Sequence, residues 1–268
     1  MTPDLLSNLP SRIHMILEEG AKEGASRIAF TDEDGAEWSY RRLIDTVADV
    51  AGKMAELGVR PGDRVMVVCE NSIAAIVLMY AASRLDAWSV MTSARLSSRE
   101  IDLIKEDSSP RCVFYTHTIS SEADAHARRH GATLEVFDEI GRVKVGSLDA
   151  GTMAESVESD PAKQVATLIY TTGTTGRPKG VMLSHRNLAF VACRGKLTKT
   201  ILADDVSLCL MPISHSYGLA LMQGLLFAGG HSRIMSRFSL AQTIEVIQNG
   251  TLTFFAAVPA LFARLVAH

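Results

Sequence analysis

The chain has 268 residues, which is enough to bury a large core in one large domain or in two of ordinary size. Hydrophobic residues make up 47% of the sequence and charged residues 21%, a balance typical of globular domains that excludes a disordered chain or a coiled coil. The formal net charge is −3 and the basic residues are scattered, so we predict no nucleic-acid partner.

The first half of the chain alternates between strand-like and helix-like patterns, which predicts an α/β fold. Near the start, Ile13, Ile16 and Leu17 lie at helical spacing and predict a helix packed on the body. Strands are then predicted at 27–31, 36–38, 64–69, 87–91, 111–115 and 133–137, and helices at 40–57, 72–85, 97–107 and 120–130. Ser97 and Glu100 form the pattern of a capping box at a helix start. The repeated order of strand, helix and strand predicts parallel crossovers.

The pattern weakens between residues 138 and 163, where glycines and acidic residues are frequent. We predict a solvated, irregular connection there, and with it a boundary between an α/β portion at 1–160 and a second α/β portion at 161–268. The second portion is predicted to contain strands at 164–170, 206–211, 231–235 and 253–257, and helices at 184–196, 217–227, 240–248 and 259–267. Because the last helix has no cap, this portion is expected to be incomplete at its C-terminal end.

The cysteines and the apolar runs indicate the cellular environment of the protein. The four cysteines are Cys69, Cys112, Cys193 and Cys209. Their wide spacing resembles neither a disulfide framework nor a zinc site, so we predict a reducing, cytoplasmic environment. The longest apolar runs, 73–83 and 219–230, are far shorter than the roughly 20 residues that span a bilayer, so no transmembrane segment is predicted.

Residues 168–179, with the sequence LIYTTGTTGRPK, have the composition of an anion-binding loop and are predicted to lie between a strand and a helix. The glycines would let the backbone approach a polyphosphate, the threonine hydroxyls would donate hydrogen bonds, and Lys179 would supply positive charge. Gly176 and Lys179 are not adjacent, as a Walker loop requires, so a standard P-loop NTPase is excluded. The alternative is a turn that only joins two elements.

This twelve-residue run resembles the phosphate-loop signature of the adenylate-forming family, which includes acyl-CoA synthetases, nonribosomal peptide adenylation domains and luciferases. The resemblance implies the N-terminal domain fold of these synthetases, with mainly parallel sheets flanked by helices. It implies that Lys179 is catalytic and that the ATP-binding residues are Thr171, Thr172, Gly173, Thr174, Thr175, Gly176 and Lys179.

A second segment, residues 211–219, resembles the histidine motif of the same family. The resemblance implies that His215 lies at the carboxylate pocket as a second catalytic residue and orients the substrate carboxylate near the α-phosphate. Tyr217 and Gly218 would complete the substrate pocket. The alternative for a single histidine is an ordinary core or surface residue.

The stretches 38–43, 57–65 and 95–101 resemble the N-terminal subdomain of the family, so the resemblance covers most of the chain. The sequence ends before the family's Tyr-Gly-x-Thr-Glu segment, whose acidic residue serves Mg²⁺, and before its ribose-binding aspartate and mobile C-terminal domain. We therefore expect a truncated synthetase with no metal ligand of its own. The 268-residue chain alone is expected neither to adenylate nor to form thioesters.

The resemblance implies an ATP-dependent ligase that uses Mg²⁺, with CoA as co-substrate and a small carboxylic acid as substrate. Tyr217 and the apolar residues Leu219, Leu221 and Met222 favour a fatty or aromatic acid over a polar amino acid. Two alternatives remain open, namely a ligase that transfers the acyl group to a carrier protein and a non-catalytic ATP-binding module. A homodimer is also predicted to be possible, because an incomplete sheet exposes an edge.

His126 and His130 are four residues apart on a predicted helix and could share a metal ion. They lack the glutamate of an HExxH motif and are accompanied by Arg128 and Arg129. We therefore predict a solvated helix face rather than a metal site.

Overall fold

Residues 7–171, 177–198 and 200–267 are described in a computed structural model. They form two β-sheets with helices packed against them, which confirms the predicted α/β fold. Across these described segments, no helix is both long and apolar enough to cross a membrane.

The strands form a large sheet and a small one. In chain order they are β1 (Ile28–Thr31), β2 (Glu37–Ser39), β3 (Arg64–Cys69), β4 (Trp88–Ser93), β5 (Cys112–Tyr115), β6 (Leu134–Val136), β7 (Val143–Val145), β8 (Val165–Thr171), β9 (Lys179–Ser184), β10 (Val206–Cys209) and β11 (His231–Ile234). The seven-stranded sheet has the order β6-β7-β5-β3-β4-β8-β9, and the four-stranded sheet the order β10-β11-β1-β2. The central strands β5, β3, β4 and β8 are parallel, so their carboxyl ends lie at one edge of the sheet.

The helices begin mostly at serine caps. They are α1 (Ile16–Ala21), α2 (Tyr40–Glu56), α3 (Ile73–Arg84), α4 (Ser98–Ser108), α5 (Ser121–Arg129), α6 (His185–Leu197), α7 (Ser216–Ala228), α8 (Leu240–Gln248) and α9 (Pro259–Val266). A serine hydroxyl accepts a backbone N–H at the start of α2, α3, α4, α5, α6 and α8. The predicted capping box of Ser97 and Glu100 is confirmed.

The core is centred on α3, whose residues from Ile73 to Ser83 are all buried. It packs against α2, β3 and β4. A helix that is apolar on every side is stable only when it is surrounded, which explains its central position. Tyr40 ties α2 to the C-terminal end of α7, because its buried hydroxyl lies 3.2 Å from the Leu226 carbonyl in that helix and 2.7 Å from the Gly230 carbonyl just after it. Ile13, Ile16 and Leu17 are buried against this core, which confirms the predicted docking of the N-terminal segment.

Two predicted features of the large sheet were wrong. Residues 133–137 were predicted to enter by a parallel crossover, but β6 pairs antiparallel with β7, a strand that was not predicted. The connection from β6 to β7 is too short for a crossover, which needs a dozen or more residues. The phosphate-loop segment was predicted to lead into a helix, but it leads into β9, which pairs antiparallel with β8. Residues 179–184 therefore form the second strand of a hairpin.

The strand predicted at 253–257 is not formed. Within the described part of the chain, this segment makes one isolated bridge, between Ser207 and Phe254. Thr253 and Phe254 both donate their backbone N–H to the Val206 carbonyl, so the segment touches the outer edge of β10 at one position only. A strand requires successive pairings, and these are absent here.

The boundary predicted at residue 160 stays a prediction. The sheets do not follow it, because β8 and β9 pair within the large sheet and β10 and β11 pair with β1. Both sheets therefore contain strands from each side of the predicted boundary.

The contact between the N-terminal segment and α6 is expected to depend on pH. His185 is fully buried and its Nδ1 accepts the backbone N–H of Ile13 at 3.1 Å. Burial lowers the pKa of His185 to about 3, and burial also lowers the pKa of His14 to about 4. Both histidines are thus neutral when folded, and the unfolded chain binds more protons below its ordinary histidine pKa of about 6.5.

We therefore expect the free energy of unfolding to be highest above pH 6.5 and to fall as the pH decreases from 6.5 towards 4. Urea denaturation across this range measures the slope. The variant His185→Asn removes one titrating group and is expected to flatten the slope. An unchanged slope in this variant would assign the pH dependence to other groups.

Candidate active site

A cleft of about 280 Å³ lies at the carboxyl ends of β4 and β8, the edge at which ligands bind in open parallel sheets. Its lining residues are Met91, Thr92, Ser93, Leu96, Glu100, Ile104, Ile169, Tyr170, Thr171, Pro178, Ser214, His215 and Ser216. The cleft therefore joins the end of the large sheet to the turn that follows β10. It brings together Thr171 of the loop motif and His215 of the histidine motif.

The loop motif spans the tip of the β8–β9 hairpin. Thr171 at the end of β8 is the register partner of Lys179 at the start of β9, so the two ends of the loop lie side by side. Both residues are exposed. The predicted ATP-binding residues Thr172, Gly173, Thr174, Thr175 and Gly176 lie outside the described residues. Among the described residues, Lys179 makes no ion pair, and its side chain is exposed.

Tyr170 anchors the loop end of this hairpin. Its hydroxyl donates to Asp107 Oδ2 in α4 at 2.5 Å. Burial and the adjacent Asp107 carboxylate raise the pKa of Tyr170 above its ordinary range, so the donor proton is retained at physiological pH. Gly180 leaves room for the ring, because a Cβ there would lie 3.0 Å from Tyr170 Cζ. The sequence alone gave no reason to single out this tyrosine.

We expect Tyr170→Phe to lower the free energy of unfolding by about 1 kcal/mol and to weaken ATP binding by a few-fold, since the loop loses its anchor. Asp107→Asn should have a smaller effect, because the amide oxygen can still accept the hydroxyl proton. Urea denaturation and calorimetric titration with ATP measure both quantities. If both variants lose the same stability and the same ATP affinity, the hydrogen bond contributes only through the charge of the Asp107 carboxylate.

His215 is the N-cap residue of α7 and is exposed at the cleft. Its backbone N–H donates to the Pro212 carbonyl at 3.0 Å, and its carbonyl accepts the Leu219 N–H at 3.0 Å. The backbone of the turn is therefore fixed on both sides of the imidazole. Ser214 and Ser216 line the cleft beside it and add hydroxyl groups that sequence analysis had not assigned to the site.

Tyr217 and Gly218 do not line this cleft. The Tyr217 side chain is 46% exposed, and Gly218 is buried. A Cβ at Gly218 would lie 2.3 Å from the Pro212 carbonyl oxygen, so the glycine allows the first turn of α7 to pack on the preceding segment. Gly218 also borders a separate cavity of about 20 Å³ beneath α7. A role of the two residues in the substrate pocket stays a prediction.

Three further polar residues of the cleft were not predicted as site residues. Thr92 and Ser93 follow the buried core of β4, and Glu100 lies one turn into α4. Glu100 accepts the backbone N–H of Ser97 at 2.8 Å and the Ser97 hydroxyl at 2.6 Å, and these bonds lower its pKa. The carboxylate at the cleft is therefore ionised and is already used by the helix cap. The position of Thr92 and Ser93 at a carboxyl strand end was the feature that could have revealed them.

The solvated face predicted for His126 and His130 is wrong. His126 is buried and its Nε2 lies 3.1 Å from the Ala94 carbonyl. His130 Nδ1 lies 2.6 Å from the Tyr115 hydroxyl, and its Nε2 lies 2.9 Å from Asp102 Oδ1. The His126 ring is therefore held against the loop between β4 and α4, and the partly buried His130 ring is held between β5 and α4.

The described segments contain no group of three or more His, Cys, Asp or Glu side chains that could hold a metal ion. The four cysteines are free and buried. Burial raises the pKa of Cys69, Cys112 and Cys209 to about 12, so these thiols are neutral and weakly nucleophilic at physiological pH.

The comparisons with known proteins agree with the two motifs. The family model described as "AMP-binding enzyme" matches residues 17–268. Peroxisomal OPC-8:0-CoA ligase 1 of Arabidopsis thaliana is 30% identical over 255 residues, which cover 90% of this chain and 46% of the ligase. The chain thus spans about half the length of the curated relatives that it matches.

Two solved structures are also similar to this chain. ATP-bound MatB from Rhodopseudomonas palustris is 27% identical, with a TM-score of 0.76 over 96% of this chain and 51% of MatB. The o-succinylbenzoate CoA synthetase MenE from Bacillus subtilis, solved with the acyl-adenylate intermediate OSB-AMP, is 26% identical, with a TM-score of 0.75 over 94% of this chain and 64% of MenE. From the family match over residues 17–268, the chain belongs to the AMP-binding enzymes, and a CoA ligase is among its relatives.

Proposed function

We propose that the chain provides the ATP- and carboxylate-binding cleft of an ATP-dependent carboxylate–CoA ligase. The observation that carries the proposal is that Thr171 and His215, which belong to separate motifs, line the same cleft. The position of this cleft at the carboxyl ends of parallel strands supports it, because that edge is where open α/β sheets bind ligands.

The loop is proposed to bind the β- and γ-phosphates of ATP. The hydroxyls of Thr171, Thr172, Thr174 and Thr175 would donate hydrogen bonds to the phosphates, and Lys179 would offset their charge. Gly173 and Gly176 would let the backbone approach. Support comes from the register pairing of Thr171 with Lys179, which places these two residues side by side.

His215 is proposed to orient the substrate carboxylate. Its imidazole is exposed at the cleft on a turn whose backbone is hydrogen-bonded on both sides. When the carboxylate is held beside the α-phosphate, the two reacting groups no longer have to meet by diffusion, and this accelerates the reaction. Met91, Leu96, Ile104 and Ile169 give the cleft apolar walls, which supports an aryl or fatty acid as the substrate class.

The proposed reaction has two steps. In the first, a carboxylate oxygen attacks the α-phosphorus of ATP, the bond to the β-phosphate oxygen breaks, and pyrophosphate leaves with its electron pair. In the second, the sulfur of CoA attacks the acyl carbon, the thiol proton is lost to a base, and AMP leaves. The residues of this chain act in the first step by binding and orientation.

The family resemblance also implies Mg²⁺ as a companion of ATP. The described residues offer no metal-binding cluster, and the fit to a resident metal is therefore poor. We assign no residue of this chain to Mg²⁺ and derive no step through it.

The proposal is tested with the product of the complete gene, incubated with ATP, CoA and a panel of fatty, aryl and amino acids. We expect AMP and an acyl-CoA that depend on a fatty or aryl acid, measured by liquid chromatography and mass spectrometry. Replacing CoA with an acyl-carrier protein tests the alternative acceptor. ATP binding without any acid-dependent AMP would contradict the ligase and favour a non-catalytic ATP-binding module.

A cytoplasmic location and a homodimer stay predictions. The buried, unpaired cysteines support a reducing compartment. One relative is peroxisomal by its name, so the compartment of this protein is best decided by imaging the tagged protein.

A further inference from the structure

Asn71 lies at the point where the two sheets meet. It follows β3 of the large sheet by two residues, is 2% exposed, and immediately precedes Ser72, the cap of α3. Among the described residues, its side chain nevertheless forms hydrogen bonds to the end of the small sheet and to the segment that follows β10. A buried amide that forms hydrogen bonds to backbone groups far away in sequence restricts the position of that backbone.

One amide group contacts four backbone groups. Nδ2 lies 3.2 Å from the Cys209 carbonyl, 3.1 Å from the Met211 carbonyl and 3.3 Å from the Met235 carbonyl. Oδ1 accepts the Ile213 N–H at 2.9 Å. The amide has two N–H protons for three carbonyl oxygens, so its donors are fully used and one is shared.

These contacts hold the histidine turn, which we define as residues 211–215. Asn71 binds the backbone on both sides of Pro212, at Met211 and at Ile213. The Pro212 carbonyl in turn accepts the His215 N–H, and Gly218 packs against the same carbonyl from the other side. The turn that carries His215 is thus enclosed between Asn71 and the first turn of α7.

We infer that Asn71 is a positioning residue that sets the place of His215 in the cleft by fixing the histidine turn to the end of β3. The inference deepens the proposed function and depends on it only where the substrate carboxylate is the readout. Thr171 lies at the end of β8, and among the described residues the hydrogen bonds of the Asn71 side chain go to Cys209, Met211, Ile213 and Met235, not to Thr171. Loss of Asn71 is therefore expected to disturb carboxylate use and to spare ATP binding.

The test compares Asn71→Asp and Asn71→Ala with the matched control Ser72→Ala. Asn71→Asp keeps the shape and the acceptor but places a second oxygen against three carbonyl groups. Ser72→Ala also removes a buried hydrogen bond, from the Ala75 N–H at the start of α3, but leaves the histidine turn untouched. The control therefore reproduces a loss of stability without a change at His215.

The first readout is the imidazole resonance of His215, assigned by its absence in His215→Gln. We expect both Asn71 variants to shift this resonance and Ser72→Ala to leave it in place. In the product of the complete gene, the Asn71 variants should raise KM for the carboxylate or lower kcat by about tenfold. The dissociation constant for ATP should stay within about twofold of the wild-type value, because the Asn71 contacts lie at residues 209–213 and 235 and not at Thr171 or Lys179.

The inference would be overturned if the Asn71 variants only lost stability. In that case their His215 resonance and their carboxylate kinetics would match those of Ser72→Ala. If the variants do not fold, hydrogen exchange of the wild-type Ile213 amide decides instead, and rapid exchange would also overturn it. A wild-type chain that binds no ATP would refute the proposed function, while the His215 resonance would still test Asn71.

Discussion

Replacing Lys179 with alanine is expected to weaken ATP binding by about 10- to 100-fold, the effect of losing a charged partner of a phosphate group. Lys179 is exposed at the start of β9 and is paired in register with Thr171. Within the described residues it has no ion-pair partner, so its positive charge is available to a ligand. Isothermal titration of the chain with ATP gives the dissociation constant directly.

The matched control is Lys163→Ala. Lys163 is also an exposed lysine, and it lies just before β8, at the opposite end from the loop. Both variants remove one positive charge, so they change the overall field of the protein equally. If the two variants weaken ATP binding to the same small degree, the assignment of Lys179 to the phosphates is wrong.

Replacing His215 is expected to lower kcat/KM for the carboxylate by about 100-fold in the product of the complete gene, since misplacement by about 1 Å alone can cost that much. The affinity for ATP should change much less, because the phosphate loop lies on a different element. His215→Ala is compared with the wild type by measuring the acid-dependent release of pyrophosphate at varied carboxylate concentration. Urea denaturation of the variant verifies that the fold is retained.

Two conservative variants show which ring nitrogen acts. His215→Gln keeps a polar group near the position of Nε2, and His215→Asn keeps one near Nδ1. The variant that restores part of kcat/KM identifies the nitrogen that contacts the carboxylate. Full activity in His215→Ala would show that the exposed imidazole at the cleft has no part in the reaction.

Much of the fold follows from local sequence patterns. The strand at Arg64–Cys69 and the helix at Leu240–Gln248 are found at the predicted residues, because apolar periodicity and turn residues define both ends. The helix ends are defined by chemistry that is visible in the sequence, as the Ser97–Glu100 capping box shows.

The errors occur where pairing, and not local pattern, decides the structure. The strand β9, with the apolar residues Val181 and Met182, was not predicted, because it begins directly after Pro178. It forms because β8 is available as a pairing partner. The segment around Phe254 has the same apolar character but only one bridge to β10, so it forms no strand. Such differences depend on the tertiary partner, which the local sequence does not contain.

The candidate site shows the same division. Thr171 and His215 were predicted from their motifs, and both line the cleft. Ser93 also lines it but has no distinctive motif, and Glu100 was predicted only as a capping residue. Asn71 contacts backbone groups more than a hundred residues away in sequence. A contact of that range is invisible until the chain is folded.

The measurement that tests the central claim most directly is a crystal structure of the chain with a non-hydrolysable ATP analogue. The account predicts the β- and γ-phosphates at the loop between Thr171 and Lys179, with the α-phosphate on the His215 side of the cleft. An analogue bound elsewhere on the protein, or no binding at concentrations that saturate relatives of the family, would contradict it.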